Sequence, residues 1–515
     1  MLRRARNERA RNERAGDERA GTEEAGNGPA AEGSRRGSGQ TASAGLVVAV
    51  GTGLGNVLAY GFNLVLSRGL GPGGYAELGT LLSVFLIGTV PGLAVQAINA
   101  RRLAVVAEAS PAERAALVRG LRRRGLAVGG AVAAVFVALA PAIAALLPSV
   151  TVGGVAWTGV SLAANTVFAS YLGIAQGTSR FMTMTVLYLA AQGSRLTIGA
   201  VAASAQVSPT TVMAAQTVGW ALAAVAGRWL LRDVAEAGAG AGVGVRARAG
   251  AGAGPRAEAS VAAVPTTTED ARSASSAGPA AAWQNTEPHT PHHGYVSEVL
   301  RATGGLGGIL LLTVLDTLLA SRYLTDGDLG RYNTGALLAR AAFFAPSFVA
   351  LLAYPRLARP SERRRALLTA LALTGGIGVL GVAIAGVGGD ALIRVAFGAK
   401  YATPGGFDLG ADGWVFASVG ALLALVNLAL LDGVARRSHA VSAVVLGGIV
   451  LETTVIVGFA HGSAAAIVTA AAACSLATAT VSMAVCLTAH TPVEAVAAAA
   501  EVEDAQAVGA VAQGT

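Results

Sequence analysis

The chain has 515 residues, of which 53% are hydrophobic and only 13% are charged, and its formal net charge is +8. A soluble protein of this length is normally about one-quarter charged, so the composition argues against a soluble enzyme and indicates a membrane protein. The positive charge comes from arginines scattered between apolar segments, which argues against a nucleic-acid-binding face.

Residues 1–43 form a low-complexity head in which Arg-Asn-Glu-Arg-Ala occurs twice. Sequence with mixed charge and many small residues cannot bury enough apolar surface to order itself. We therefore predict a disordered cytoplasmic tail. No cleavable signal peptide is apparent, because the first apolar stretch begins only near Ala44.

Twelve apolar segments follow, each about long enough to cross ~30 Å of hydrocarbon as a helix. We place them at 45–66, 78–99, 126–147, 152–175, 183–203, 210–231, 303–321, 331–353, 367–387, 414–434, 441–460 and 464–488. The predicted fold class is an all-α polytopic membrane protein with about 12 transmembrane helices.

Arginines concentrate in every second loop between these segments, most densely after the second and the eighth. The other loops and the adjoining helix ends hold few basic residues, namely Arg68, Arg322, Arg331, Arg394 and Lys400, the only lysine in the chain. Cytoplasmic loops carry an excess of Lys and Arg. This pattern predicts a multi-pass membrane protein with both termini in the cytoplasm. The abundance of Ala, Gly and Arg indicates a GC-rich bacterial genome, so we expect a bacterial inner membrane.

Residues 233–293 are rich in Gly, Ala, Ser, Thr and Pro and are predicted to be a low-complexity cytoplasmic linker. It joins an N-terminal lobe, 44–232, to a C-terminal lobe, 294–490, and residues 491–515 are predicted to be a cytoplasmic tail. The histidines of the linker have no supporting cysteine or carboxylate cluster, so no metal site is predicted. The tails and the linker leave room for cytoplasmic or envelope-biosynthesis partners.

The two halves of the chain repeat one pattern. One apolar segment ends in Ser-Arg-Gly-Leu-Gly, within residues 63–75. Another ends in Ser-Arg-Tyr-Leu, within residues 316–332. A second apolar segment with a central proline, Pro91 or Pro346, follows each of them. A membrane protein built from two related halves usually places a substrate path between them, so the repeat predicts a transporter.

Charged residues inside the apolar segments are the candidates for function. Arg195 and Glu452 lie near the middle of the fifth and eleventh segments. Asp316 and Arg340 lie in the seventh and eighth segments at depths that differ by less than one helical turn, so they could pair. Such charges cost at least a few kcal/mol if they face lipid, so they should face a water-filled cavity or one another.

Two interpretations of Asp316 and Arg340 remain open: a structural ion pair, or a cationic cavity for an anionic headgroup. Arginine binds phosphate with a planar fork, which suits a pyrophosphate. Catalysis has little support, because the chain contains no Gly-Lys-Ser/Thr, no nucleophilic serine elbow and no zinc-ligand spacing. We expect no enzyme activity and no cofactor.

Four pieces of the chain resemble the polysaccharide biosynthesis (oligosaccharide flippase) family of the multidrug/oligosaccharidyl-lipid/polysaccharide (MOP) exporter superfamily. They lie at 67–76, 316–332, 346–358 and 393–401, within a resemblance that covers roughly residues 44–488. It implies two six-helix lobes that form a V around a central cavity. It also implies transfer of a polyprenyl-pyrophosphate-linked glycan from the inner to the outer leaflet. The long linker and the near absence of lysine depart from the family.

The leading hypothesis is a lipid-linked oligosaccharide flippase that works by alternating access. Arg68, Arg195 and Arg340 are then the charges that attract the headgroup, and Asp316 and Glu452 are pairing or ion-coupling carboxylates. The alternatives are a drug/cation antiporter of the same superfamily, in which carboxylates would dominate the cavity, a non-transporting membrane scaffold, and a membrane glycosyltransferase or polymerase.

Overall fold

The computed structural model describes residues 29–107, 109–236, 294–347, 349, 353, 357, 359–401, 407–436 and 438–488. All regular elements in these ranges are helices, which confirms the predicted all-α class. Residues 1–28 of the predicted N-terminal tail, residues 237–293 of the predicted linker and the tail from residue 489 lie outside the described residues.

Three helices of the N-terminal half begin at side-chain caps. The helices of this half are α1 Pro29–Gly88, α2 Val90–Val105, α3 Pro111–Leu146, α4 Val152–Gly177, α5 Phe181–Ala205, α6 Pro209–Leu230 and the short α7 Arg232–Glu236. Ser110 and Glu113 form a capping box at the start of α3, and the hydroxyls of Thr151 and Ser208 cap α4 and α6. Helix α1 extends into the last part of the predicted N-terminal tail.

Helix α1 doubles back at Gly71, whose φ of +70° lies in the left-handed region that glycine tolerates. Tyr60 donates a hydrogen bond to the carbonyl of Leu337, and Ser83 accepts one from Arg340, one turn further along the same partner helix. Residues well before and well after Gly71 therefore lie at the same depth. The first two predicted crossings thus form a hairpin with hardly any loop.

The helices of the C-terminal half differ from the prediction most clearly in the seventh segment. They are α8 Tyr295–Leu312, α9 Leu315–Tyr323, α10 Asp326–Phe344, α11 Pro360–Ala396, a 3₁₀ turn Ala399–Tyr401, α12 Leu409–Ala435, α13 Ala440–Gly458 and α14 Ala464–Thr488. The seventh segment, predicted as one helix, is broken into α8 and α9. Val314 has non-helical angles there, and the Thr313 hydroxyl bonds the carbonyl of Leu310.

Nine helices in the described ranges are long and apolar enough to cross a membrane, and they fit the predicted twelve crossings. The first of them spans the α1 hairpin together with α2 and so contains two crossings. The α8–α9 pair supplies the seventh crossing. Helix α10 begins the eighth and ends just before Pro346.

The two lobes contact each other at both ends of the bundle. The end that holds the loop arginines, which we call the arginine-rich face, carries an ion pair between Arg102 and Glu298 at 2.6 Å. At the other end, called the opposite face, a Cβ built on Gly330 would overlap the carbonyl oxygen of Pro72. Asn333 also donates to the carbonyl of Ala76 there, at 2.8 Å. The seam between the lobes is therefore closed at both faces.

Candidate functional site

Asp316 lies in the first turn of α9, directly after the break in the seventh crossing. Its side chain is only 4% exposed. One carboxylate oxygen accepts a hydrogen bond from the Tyr332 hydroxyl at 2.8 Å, and the other accepts one from Thr317 at 3.3 Å. The helix break therefore places a hydrogen-bonded carboxylate inside the C-terminal lobe.

Glu452, in the middle of α13, is 1% exposed and lies next to Asp316. Its carboxylate faces the backbone N–H of Asp316. That N–H belongs to the first turn of α9, where backbone donors have no partner within the helix and the helix dipole favours negative charge. Glu452 thus lies beside the start of the broken helix. Its Oε2 atom has no hydrogen-bond partner among the described residues.

Arg340 of α10 joins the two lobes. Its Nη2 donates to the Ser83 hydroxyl at 2.6 Å, and Tyr60 and Tyr75 of the same hairpin face its guanidinium. Asp316 is the carboxylate that faces it from its own lobe, yet no ion pair within 4.0 Å joins the two side chains. The pairing that depth alone allowed is not formed, because Arg340 extends across the seam toward Ser83.

A small cavity separates Asp316 from Arg340. Thr313 at the helix break, Phe343 of α10 and Gly420 of α12 line it together with these two residues. Its volume is about that of a single water molecule. The two charged side chains border this mostly apolar cavity without direct contact.

Arg195 lies elsewhere, inside the N-terminal lobe, with 8% of its surface exposed. Its guanidinium carbon lies 4.6 Å from the Phe62 ring centroid and 5.3 Å from that of Trp220. Gln192 and Gln216 accept hydrogen bonds from Nη1 and Nη2 at 3.1 and 3.3 Å. Aromatic faces and amide oxygens, and no carboxylate in the described ranges, thus stabilise this buried cation.

Arg68 is exposed at the opposite face, at the end of the first crossing and beside Gly398. The five predicted site residues therefore occupy three places. Asp316, Glu452 and Arg340 lie together around the break in the seventh crossing. Arg195 lies in the N-terminal lobe, and Arg68 lies at the seam surface.

Sequence reasoning missed one buried ionic cluster, at the arginine-rich end of the C-terminal lobe. Asp432 of α12 accepts hydrogen bonds from Arg363 through both oxygens, at 2.8 and 2.9 Å, and from Arg436 at 2.9 Å. The spacing of Asp432 and Arg436, four residues apart on one helix, was the available signal. That signal is weak, because Arg436 lies just after the predicted tenth segment, 414–434, where the sequence predicts a loop.

Comparison with known proteins shows the same architecture in solved structures. No protein-family model and no curated protein matches the chain. An inward-facing multidrug resistance MATE family transporter of the MOP superfamily matches with a TM-score of 0.57 and 12% identity, over 82% of this chain and 92% of that one. The eukaryotic MATE transporter AtDTX14 matches with a TM-score of 0.55 and 10% identity, over 87% and 94%.

The chain has the fold of a MATE transporter. An outward-facing MATE structure also matches, with a TM-score of 0.54 and 12% identity, over 85% of this chain and 93% of that one. The MATE fold confirms the polytopic twelve-helix architecture that the sequence predicted. The oligosaccharide flippase subfamily and the roles of the five residues stay predictions, since such low identity relates these proteins by fold alone.

Proposed function

We propose that the chain is a membrane transporter that moves a polyprenyl-pyrophosphate-linked oligosaccharide between leaflets by alternating access. The observation that carries the proposal is Arg340. It is a guanidinium between the lobes that bonds a neutral hydroxyl, and its Nε has no hydrogen-bond partner within the described part of the chain. An arginine fork matches the oxygens of a phosphate, and a cation in low-dielectric surroundings attracts an anion strongly.

The coupling step of this proposal uses Asp316 and Glu452. Two carboxylates buried side by side cannot both be charged without a high electrostatic cost, so one of them takes up a proton or shares a cation. The Glu452 carboxylate faces the first turn of α9, where the helix dipole favours negative charge. Neutralising Glu452 would remove that favourable interaction, which links the charge state of the pair to the position of α9 after the helix break.

The orientation in the membrane follows from the charges of the two faces. We assign the arginine-rich face to the cytoplasm of a bacterial inner membrane, because cytoplasmic loops carry the excess of arginine. The Arg102–Glu298 ion pair would then close the cytoplasmic end. The contact between Gly330 and Pro72 would close the outer end. Alternating access requires these two closures to open in turn.

The competing function is a drug/cation antiporter, which the buried carboxylates Asp316 and Glu452 favour because carboxylates bind cations. One reconstitution separates the two functions. Liposomes that contain the protein are loaded with either a fluorescent polyprenyl-diphosphate sugar or a cationic dye, and movement of each across the membrane is measured.

Arg340→Gln should lower movement of the diphosphate lipid at least about tenfold, which corresponds to ~1.4 kcal/mol, while Arg340→Lys should retain part of it. Arg322→Gln, an exposed arginine at the opposite face, is the matched control and should leave the rate unchanged. Dye efflux without lipid movement would refute the lipid proposal. A loss of protein from the membrane in Arg340→Gln, with a normal rate per remaining molecule, would make Arg340 a structural residue.

A further inference from the structure

Three residues of α10, spaced about one turn apart, bond the α1 hairpin of the other lobe, and they are Asn333, Leu337 and Arg340. Asn333 lies nearest to the closure at the opposite face, and Arg340 lies deepest in the seam. Arg340 is the charged member of the three, and its acceptor is the hydroxyl of Ser83 at 2.6 Å. The innermost bond of this closure therefore joins a full cation to a neutral group.

The N-terminal lobe orients Ser83 to accept this bond. Its side chain is fully buried. Its hydroxyl donates its proton to the carbonyl of Gly79, one turn earlier in α1, at 2.8 Å. The oxygen lone pairs remain for Arg340, which as a charged donor makes the stronger bond. The acceptor belongs to α1, so the bond exists only while the two lobes meet at this point.

Asp316 offers Arg340 a second acceptor within its own lobe. Both side chains border the small cavity described above, and every residue that lines the cavity belongs to the C-terminal lobe. The gap holds about one water molecule, so a change of side-chain rotamer is enough to bring the guanidinium to the carboxylate. Separation of the lobes would remove Ser83 from Arg340 and leave Asp316 in place.

Other titratable groups around Asp316 and Arg340 come from α1, α10, α13 and α14. In the described ranges they are Tyr60, Tyr75, Tyr332, Glu452 and Cys474. Each of them is neutral or negative, so none competes with Arg340 as a cation. None of them lines the cavity. A negative charge therefore acts on Arg340 most directly when it resides on Asp316.

We propose that Ser83 positions Arg340 across the seam while the lobes are closed at the opposite face, and that Asp316 takes over the guanidinium when the lobes part there. A charged Asp316 attracts Arg340 more strongly than a neutral hydroxyl does, so loss of its proton favours the open seam. A protonated Asp316 competes poorly, so Arg340 returns to Ser83 and the seam closes. This exchange rests on the alternating access of the proposed function, but not on its cargo.

Two exposed glycines give label positions at the opposite face. Gly153 lies at the start of α4, beside Thr151, whose hydroxyl bonds Glu77 just past the turn of the α1 hairpin. Gly462 lies between α13 and α14, beside His461, whose ring packs on the end of α9. A Cβ at either glycine meets no atom closer than ordinary van der Waals contact. Cysteines at these positions therefore place one spin label on each lobe.

The labelled full-length protein in lipid nanodiscs is measured by double electron–electron resonance across a pH series. The native cysteines, Cys474 and Cys486, are buried, and a sample without the introduced pair shows any label that they take up. The long-distance population should grow about tenfold relative to the short one from acidic to alkaline pH, because a bond to a charged acceptor is stronger than one to a neutral hydroxyl. A single distance that pH does not change would overturn the exchange.

Ser83→Ala removes the acceptor in the N-terminal lobe and should raise the ratio of open to closed molecules about tenfold at each pH. Ser83→Thr keeps a hydroxyl and should stay within about twofold of wild type. Ser67→Ala is the matched control, because Ser67 is a fully buried serine of the same helix whose hydroxyl bonds the carbonyl of Leu64 within α1. Equal ratios in Ser83→Ala and Ser67→Ala would overturn the positioning role.

Asp316→Asn should act in the opposite direction, because the short distance then predominates at every pH. A double-mutant cycle separates positioning from packing. In an Arg340→Met background, which has no donor, Ser83→Ala should change the ratio less than about twofold. An effect of Ser83→Ala that persists without Arg340, or a pH dependence that persists in Asp316→Asn, contradicts the exchange. If Ser83→Ala does not fold, the pH series of Asp316→Asn decides alone.

The distances are measured without any cargo, so this test and the transport assay fail independently. A protein that moves diphosphate lipids but has the same distances in wild type, Ser83→Ala and Asp316→Asn would lose the exchange and keep the proposed function. The expected distance changes without lipid movement would keep the exchange and refute transport of a diphosphate lipid.

Discussion

Two buried ionic clusters in the C-terminal lobe are built in contrasting ways. Asp432 is 0% exposed, and three charge-assisted hydrogen bonds from Arg363 and Arg436 fill its carboxylate oxygens. Asp316 and Glu452 are as deeply buried, but they have no cation within 4.0 Å among the described residues. One oxygen of Glu452 lacks any partner there.

The contrast is between a charge that holds helices together and a charge that can exchange a proton or bind a ligand. A fully bonded buried ion pair resists change, because removal of one partner leaves an uncompensated charge. A carboxylate with unused bonding capacity can change its protonation or accept a ligand at lower cost. The Asp432 cluster joins α11, α12 and the end of α14, since Arg363 also donates to the carbonyl of Cys486 at 2.9 Å.

The largest expected effect comes from breaking the bonded cluster. Asp432→Ala leaves two largely buried guanidinium groups without their carboxylate and should destabilise the protein by about 3–5 kcal/mol. Thermal unfolding in detergent and abundance in the membrane measure it. Asp390→Ala is the control, because Asp390 is 53% exposed and 3.9 Å from Arg394, so its loss should cost less than about 1 kcal/mol. Equal losses of stability in the two variants would contradict the distinction between a fully bonded buried carboxylate and an exposed one.

Asp316→Asn should separate function from stability. The asparagine carbonyl can still accept the hydrogen bond from Tyr332, so the unfolding free energy should change by less than about 1.5 kcal/mol. Transport in proteoliposomes should nevertheless fall at least about tenfold, because the pair can no longer exchange a charge. A variant with normal transport would assign Asp316 a structural role only.

Glu452→Gln should change the unfolding free energy less than Asp316→Asn does. The change should stay within about 1 kcal/mol in either direction. The substitution removes a buried carboxylate whose Oε2 has no hydrogen-bond partner among the described residues, and it keeps an amide oxygen that faces the first turn of α9. The pH dependence of transport should flatten. Rates of wild type and variant measured across a pH series test this, and parallel profiles would contradict a coupling role for Glu452.

The smallest expected effect belongs to an exposed pair on the arginine-rich face. Arg180 donates to Asp233 at 3.0 Å and holds the pKa of that carboxyl below its ordinary value. A lowered pKa in the folded state gives stability that is present above the unfolded pKa and is lost as pH falls through the folded pKa. Arg180→Gln should therefore cost at most about 1 kcal/mol at neutral pH and nothing at strongly acidic pH. Unfolding midpoints at both pH values measure the difference.

Hydropathy located the crossings well because burial in lipid constrains every residue of a span. The fourth segment, predicted at 152–175, is α4 at Val152–Gly177, and the twelfth coincides with α14 at Ala464–Thr488. The break between α8 and α9 escaped prediction, because the residues around Thr313 and Val314 include no proline and read as a continuous apolar helix. Such a break depends on tertiary packing, which cannot be read from amino-acid composition.

The sequence predicts the depth of the site residues in the membrane but not their contacts. Position along a helix gives the depth of a charge, so Asp316 and Arg340 were correctly placed near each other. Depth does not give the direction of a side chain, and Arg340 bonds Ser83 of the other lobe instead. The proximity of Glu452 to Asp316 depends on the packing of α13 against α9, which no sequence pattern in either helix specifies.

The contact between Gly330 and Pro72 sets a limit on what sequence change the molecule tolerates. It uses only backbone atoms and the ring of a proline, so neither protonation nor oxidation alters it. A single methyl group at residue 330 would occupy the space that the Pro72 carbonyl takes when the lobes meet. If the proposed alternating access is right, one added carbon atom, itself uncharged, would shift the conformational equilibrium toward the state that is open at that end.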